Sequence, residues 1–109
     1  MNPLEALITD EENTREWLAG LRREFSQILA SADTATDDEH DPEGTTAYDR
    51  ARVAALVQAA EAQLADITAA RVRLDTADYG SCVVCGRPIP ADRLAVRPTA
   101  RTCVGCPPR

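Results

Sequence analysis

Tyr79-Gly80-Ser81-Cys82-Val83-Val84-Cys85-Gly86-Arg87-Pro88-Ile89-Pro90 opens, and Arg101-Thr102-Cys103-Val104-Gly105-Cys106 closes, the stretch that decides how this chain folds. It holds all four cysteines of the 109-residue sequence, as two C-x-x-C pairs with seventeen residues between them. Each pair curls into a tight knuckle that turns two sulfurs to one side. This separation lets the two knuckles face each other across one tetrahedral zinc ion. A redox dithiol and a pair of disulfides are the competing readings. One C-x-x-C would leave them level; two at this spacing favour zinc. Four thiolates fill the coordination shell, so Cys82, Cys85, Cys103 and Cys106 are expected to hold one structural Zn2+ that does no chemistry.

The residues around the cysteines fit a small finger over 80–109. Gly86 follows Cys85, where a glycine lets backbone amides turn toward the sulfurs. Pro88-Ile89-Pro90 fixes an extended stretch, and Ala91–Val96 suits a short helical turn ahead of Pro98. Tyr79-Gly80 is read as the break before the finger.

Upstream the pattern is helical. Thr14, Leu18, Leu21, Phe25, Ile28 and Ala32 recur at alternating spacings of four and three, the seam of a coiled-coil helix, with Trp17 and Leu29 widening it. Thr9 followed by Glu12 reads as a capping box, so residues 1–9 become a lead-in and the first helix runs from ~10 to 32. A polar run with Pro42 and Gly44 makes 33–45 a loop. The seam resumes with Val53, Val57, Ala60, Leu64 and Ile67, skips Arg71, and ends at Leu74 in a helix over ~46–77. Together these predict a mostly α chain: an antiparallel helical hairpin (coiled coil) over 10–79 with its tip at 33–45, followed by the small four-cysteine zinc finger. A compact bundle or a homodimer would use the same apolar faces. The first helix spans about 34 Å against about 48 Å for the second. Either the lead-in covers the base of the longer helix, or the loop forms an additional turn.

Composition narrows the function classes. Residues 1–80 carry seven arginines against seventeen acids, a balance of −10, and 81–109 carry five arginines against one acid, a balance of +4. Four thiolates on a divalent ion add about −2, which leaves the finger mildly positive. An acidic body lacks the continuous basic face that phosphate neutralisation needs, so sequence-specific DNA binding is not expected. No stretch approaches the ~20 apolar residues of a membrane span, and the N-terminus shows no basic-then-apolar signal, so the cytoplasm is the expected compartment. His40 stands alone among loop carboxylates. There is no Ser–His–Asp, Cys–His or Gly-rich phosphate pattern, and no enzyme is expected.

The finger pattern, Tyr79-Gly80-x-Cys82-x-x-Cys85-Gly86-x-Pro88-Ile89-Pro90-x-x-Arg93-Leu94-x-x-x-Pro98-x-x-x-x-Cys103-x-x-Cys106, resembles the C4 finger of the DksA/TraR family of bacterial transcription regulators. The upstream hairpin agrees in order and approximate size. The resemblance implies a protein that binds RNA polymerase rather than DNA, with its hairpin in the secondary channel and acidic tip residues near the active site. The family tip reads Asp-Pro-x-Asp-x-Ala. Asp41-Pro42 matches its start, whereas Gly44 and Thr46 replace the second aspartate and the alanine. Asp37 and Asp38 are the other acids that could charge the tip; a plain solvated loop is the alternative. Asp49-Arg50-Ala51 lies inside the second helix and reads as a coincidental match. Val53 to Ala70 contain no arginine, where relatives carry basic residues that help bind polymerase and the alarmone guanosine tetraphosphate, so alarmone binding is not expected here.

Arg93 and Arg97 either touch a partner or pack over the finger, and Trp17 either packs in the hairpin or anchors a partner. A zinc-binding transcription regulator acting on RNA polymerase, as a monomer, is the first reading. The alternative is a non-enzymatic protein–protein interaction module with a structural zinc knuckle.

Overall fold

The computed structural model describes residues 2–34 and 45–107. Asp37, Asp38, His40 and Asp41 lie outside them. Among the described residues there are three helices: α1 (Pro3–Thr34), α2 (Thr45–Asp75) and α3 (Ala91–Val96). Among the described residues there is no strand, only an isolated antiparallel bridge between Ser81 and Pro88. None of the helices is long and apolar enough to cross a membrane.

α1 and α2 pack as the expected antiparallel hairpin, and partners run in opposite directions along the two helices. Arg52 pairs with Glu24 at 2.9 Å, Arg22 with Glu61 at 3.1 Å and Arg71 with Glu11 at 3.2 Å. These exposed or half-exposed ion pairs add little stability each. They mark the register in which the two helices lie.

The described residues fall into two compact units, Met1–Asn13 with Leu64–Arg109, and Thr14–Gln63. In the second unit the seam is real but narrow. Thr14, Leu18, Leu21, Val53 and Ala60 are buried, while Phe25, Ile28, Val57 and Leu56 are half-buried. Trp17 and Leu29 stay 41% and 38% exposed, so they do not widen the seam. Two helices bury only the stripe along their line of contact, and residues on its flanks face water unless a third element covers them. Thr14 is polar on a buried stripe, and its hydroxyl accepts a hydrogen bond from Gln63 Nε2 at 2.8 Å. Pairing it removes the cost of an unsatisfied buried oxygen.

The first unit corrects the reading of the N-terminus. α1 starts at Pro3, seven residues before the sequence pattern placed it, so residues 1–9 are no separate lead-in. Asn2 Oδ1 accepts from the Glu5 amide at 2.8 Å, and its carbonyl accepts from Ala6. Asn-Pro-x-Glu is a start signal of the same kind as Thr9-x-x-Glu12, with proline at the first helical position. Tertiary packing chooses between them. The earlier start puts Leu7 on the helix, fully buried in a cluster with Ile67 and Ala70, against which Leu74 and Tyr79 pack. The two helices, 32 and 31 residues long, are therefore nearly equal.

α2 ends at Asp75, ahead of the Tyr79-Gly80 break. Asp78 N–H reaches back to the Arg73 carbonyl at 2.9 Å and Ala77 N–H to that of Leu74 at 3.5 Å, while Ala77 adopts φ 63°. This is the Schellman closure of a helix, with alanine where glycine is usual. A Cβ in the left-handed region costs about 1 kcal/mol. Ala77→Gly removes that cost but adds unfolded-chain entropy. The expected net gain is about 0.5 kcal/mol, a rise in Tm of about 2–4 °C by calorimetry; an unchanged or lower Tm would contradict the left-handed cap.

Candidate metal centre

The turn after α2 delivers the first cysteine pair. Gly80, at φ 88°, accepts from Ile89 N–H at 2.7 Å, and Cys82 N–H donates to the Arg87 carbonyl at 2.8 Å. Inside this narrow loop Gly86 N–H returns to the Cys82 carbonyl at 2.9 Å, and Gly86 takes φ 77°, as expected of the residue after a knuckle. A side chain there would meet no other atom within 4 Å, so the glycine answers to the backbone angle and not to crowding. Ile89, 5% exposed, is the loop's buried residue after the turn.

α3 and the segment after it deliver the second pair. α3 forms where expected, from Ala91 to Val96, after Pro90 has fixed the entry angle. Segment 98–102 then runs up to Cys103 with Ala100 and Thr102 buried. Its carbonyls are held by donors from several places. Tyr79 Oη donates to Pro98 O at 2.7 Å, Arg73 Nη2 to Thr99 O at 3.5 Å, Val83 N–H to Arg101 O at 2.9 Å and Arg93 Nε to Thr102 O at 3.1 Å. Arg93 therefore packs over the finger, as one of the two readings of it had it; Arg97 is exposed.

The outcome is a single sulfur cluster. The Sγ atoms of Cys82, Cys85, Cys103 and Cys106 all lie within 4.8 Å of one another. Cys85 and Cys103 are 3.7 Å apart and Cys103 and Cys106 3.5 Å. Four sulfurs about 2.3 Å from a central zinc, at tetrahedral angles, stand about 3.8 Å from each other. The spacing fits zinc, and it is too long for a sulfur–sulfur bond of about 2.05 Å. Cys82 is buried, Cys103 and Cys106 half-buried, and Cys85 opens to solvent.

The electrostatics explain why such a cluster calls for a cation. Cys82 is pulled down to about 6, first by the Cys85 backbone N–H and then by those of Cys103 and Val84, against the opposing effect of burial. Val84 N–H lies 3.4 Å from its sulfur. Cys106 is pushed up to about 12, first by the Cys103 side chain and then by burial. One sulfur is prepared for charge and another is denied it, because like charges this close cannot all persist. A divalent ion lifts the conflict by displacing the remaining protons.

Two neighbouring groups are shifted as well. Burial raises the Tyr79 pKa, with Arg73 acting against it, so its hydroxyl stays protonated and donating. Burial, then Arg101, lowers that of Arg73. A shallow cleft beside the finger is lined by Asp66, Arg93, Arg97, Arg101 and the segment 99–102. Sequence reading found all four cysteines but neither Tyr79 nor Arg73 as supports of the second pair. A Tyr directly before the Gly-x-Cys entry was the one available signal.

An antiparallel helical hairpin running into a four-cysteine zinc site defines a zinc-finger protein of mostly helical type. Residues 77–106 match the family model described as prokaryotic dksA/traR C4-type zinc finger. The chain is 34% identical over 95 residues to the RNA polymerase-binding transcription factor DksA of Haemophilus influenzae, across 87% of this chain and 59% of that protein. The chain thus spans somewhat more than half the length of this curated relative. Its fold matches the structure of transcription factor DksA2 from Pseudomonas aeruginosa with a TM-score of 0.78 at 24% identity, covering 92% of this chain and 73% of the other. Residues 77–106 therefore carry a C4-type zinc finger of the dksA/traR kind, and the chain has the fold of DksA2.

Two outcomes test the centre. Cys103→Ser should abolish stoichiometric zinc binding and unfold the finger while much of the hairpin helicity persists, read by metal analysis and by circular dichroism with and without chelator. Unchanged metal content in that variant would refute the site. Zinc binding should also release protons, so apparent affinity rises with pH. The sign follows from Cys106: its proton, held up to about 12 without the ion, must leave for the ion to bind. Competition titrations at several pH values measure this, and a pH-independent affinity would contradict it.

Proposed function

We propose that this chain is a zinc-containing transcription regulator that binds RNA polymerase, with Cys82, Cys85, Cys103 and Cys106 as the four ligands of one structural zinc ion. The observation that carries the reading is the convergence of those four sulfurs within 4.8 Å directly after a two-helix hairpin. The H. influenzae relative, whose name records polymerase binding, supports the choice of partner.

In this reading the hairpin enters the secondary channel of polymerase, and Asp41, with Asp37 and Asp38, forms the acidic tip. The logic is electrostatic. Carboxylates brought near a catalytic magnesium ion change its surroundings without turning over any substrate. The protein would act by occupancy of a cavity, as a monomer and without alarmone. One departure favours a second reading: Gly44 stands where the family tip has its second aspartate. A protein–protein interaction module that uses the same hairpin would not need that charge.

Pull-down with core RNA polymerase separates the two. The chain should be retained, and Asp41→Ala should be retained equally while its effect on transcription in vitro falls severalfold. A chain that never associates with polymerase overturns the first reading and leaves the second.

A further inference from the structure

Second-knuckle placement depends on segment 98–102, because Cys103 follows it directly. Four carbonyls of this five-residue segment accept hydrogen bonds, three of them from side chains outside it, and the two shorter of those three are Tyr79 Oη to Pro98 at 2.7 Å and Arg93 Nε to Thr102 at 3.1 Å. Tyr79 also packs against the buried cluster of Leu7, Ile67 and Ala70. One side chain thus joins the helical core of this unit at its ring and the approach to the second cysteine pair at its hydroxyl. Arg93 reaches the same segment from α3.

We infer that Tyr79 and Arg93 are positioning residues for the zinc site. Neither is a candidate ligand, and they set where the second pair stands by fixing the backbone that carries it. A metal site whose ligands are held in place before binding loses less freedom when the ion arrives, and outlying hydrogen-bonding partners of this kind commonly govern affinity by about 10- to 100-fold. By linkage, an ion bound at the four sulfurs stabilises in turn the packing of Tyr79 on the helical core. The inference rests on the zinc reading of the finger.

The test uses the full chain and zinc itself, with affinity measured by competition against a chromophoric chelator. Tyr79→Phe keeps the ring in the core and removes only the hydroxyl. It should weaken zinc binding about tenfold with helical circular dichroism unchanged. Arg93→Met should do the same, and Arg93→Lys, which keeps a donor, should recover part of the loss. Arg87→Met removes an equal charge from an exposed arginine beside the first knuckle and should bind zinc as the parent does. Cobalt substitution gives a second readout that a loss of overall stability would not move. The visible bands of the cobalt–thiolate centre should shift in Tyr79→Phe at full loading.

Parent protein that takes up no zinc overturns the metal reading and this inference with it. Parent protein with one zinc per chain, and both variants within twofold of it with unshifted cobalt bands, overturns this inference alone. An equal loss in Arg87→Met makes the effect one of charge and overturns the assignment of Arg93.

Discussion

Four sulfurs brought within 4.8 Å of one another are the constraint on which the C-terminal third of this protein depends. Such a cluster is not stable as four anions, and the opposed directions of Cys82 and Cys106 record the conflict. Nor is the finger held by a core of ordinary size. Its buried residues are few: Cys82, Ile89, Ala100 and Thr102. A segment of this length buries too little apolar surface to offset its chain entropy, and a divalent ion bound by four thiolates contributes the missing free energy. The tight loop at Gly80 and Gly86, the carbonyls held along 98–102 and the short α3 all serve to bring the four sulfurs together.

The hairpin solves a different problem. Two helices without a third can bury one stripe each, so most of their surface must be compatible with water. The acids and arginines of residues 1–80 meet that requirement, and the buried stripe is made largely of small and medium side chains: Ala60, Ala70, Val53, Leu18, Leu21 and Ile67. Alanine at these positions permits close approach of the helix axes. The Thr14–Gln63 hydrogen bond gives the stripe a polar point where partners must match, which favours one register over its neighbours.

The two parts divide the proposed work. The zinc site carries no open coordination position and so does no chemistry of its own. The hairpin presents the loop whose acids carry the effect in our reading. A regulator that acts by placing charge in another protein's cavity needs a fixed base and a long reach, and has no need of a substrate pocket.

Much of this is legible in the amino-acid sequence alone. The cysteine spacing gave the metal centre because ligand geometry is local: two short loops of fixed length, each with its pair. The four-three repeat gave the hairpin because the period of a buried stripe is a property of the helix itself. Glycine at 86 and the short helix at 91–96 followed from backbone preference in the same way. What the sequence left open were choices among equivalent local signals. Asn2-x-x-Glu5 and Thr9-x-x-Glu12 both start a helix, and only the burial of Leu7 against Ile67 and Ala70 selects the first. Trp17 continues the apolar pattern, yet it remains exposed, because among the described residues nothing covers that flank. Tyr79 carries no sign in the sequence of which carbonyl its hydroxyl will meet nineteen residues later. Such contacts join residues distant along the chain, and their energies exist only once the packing has brought them together.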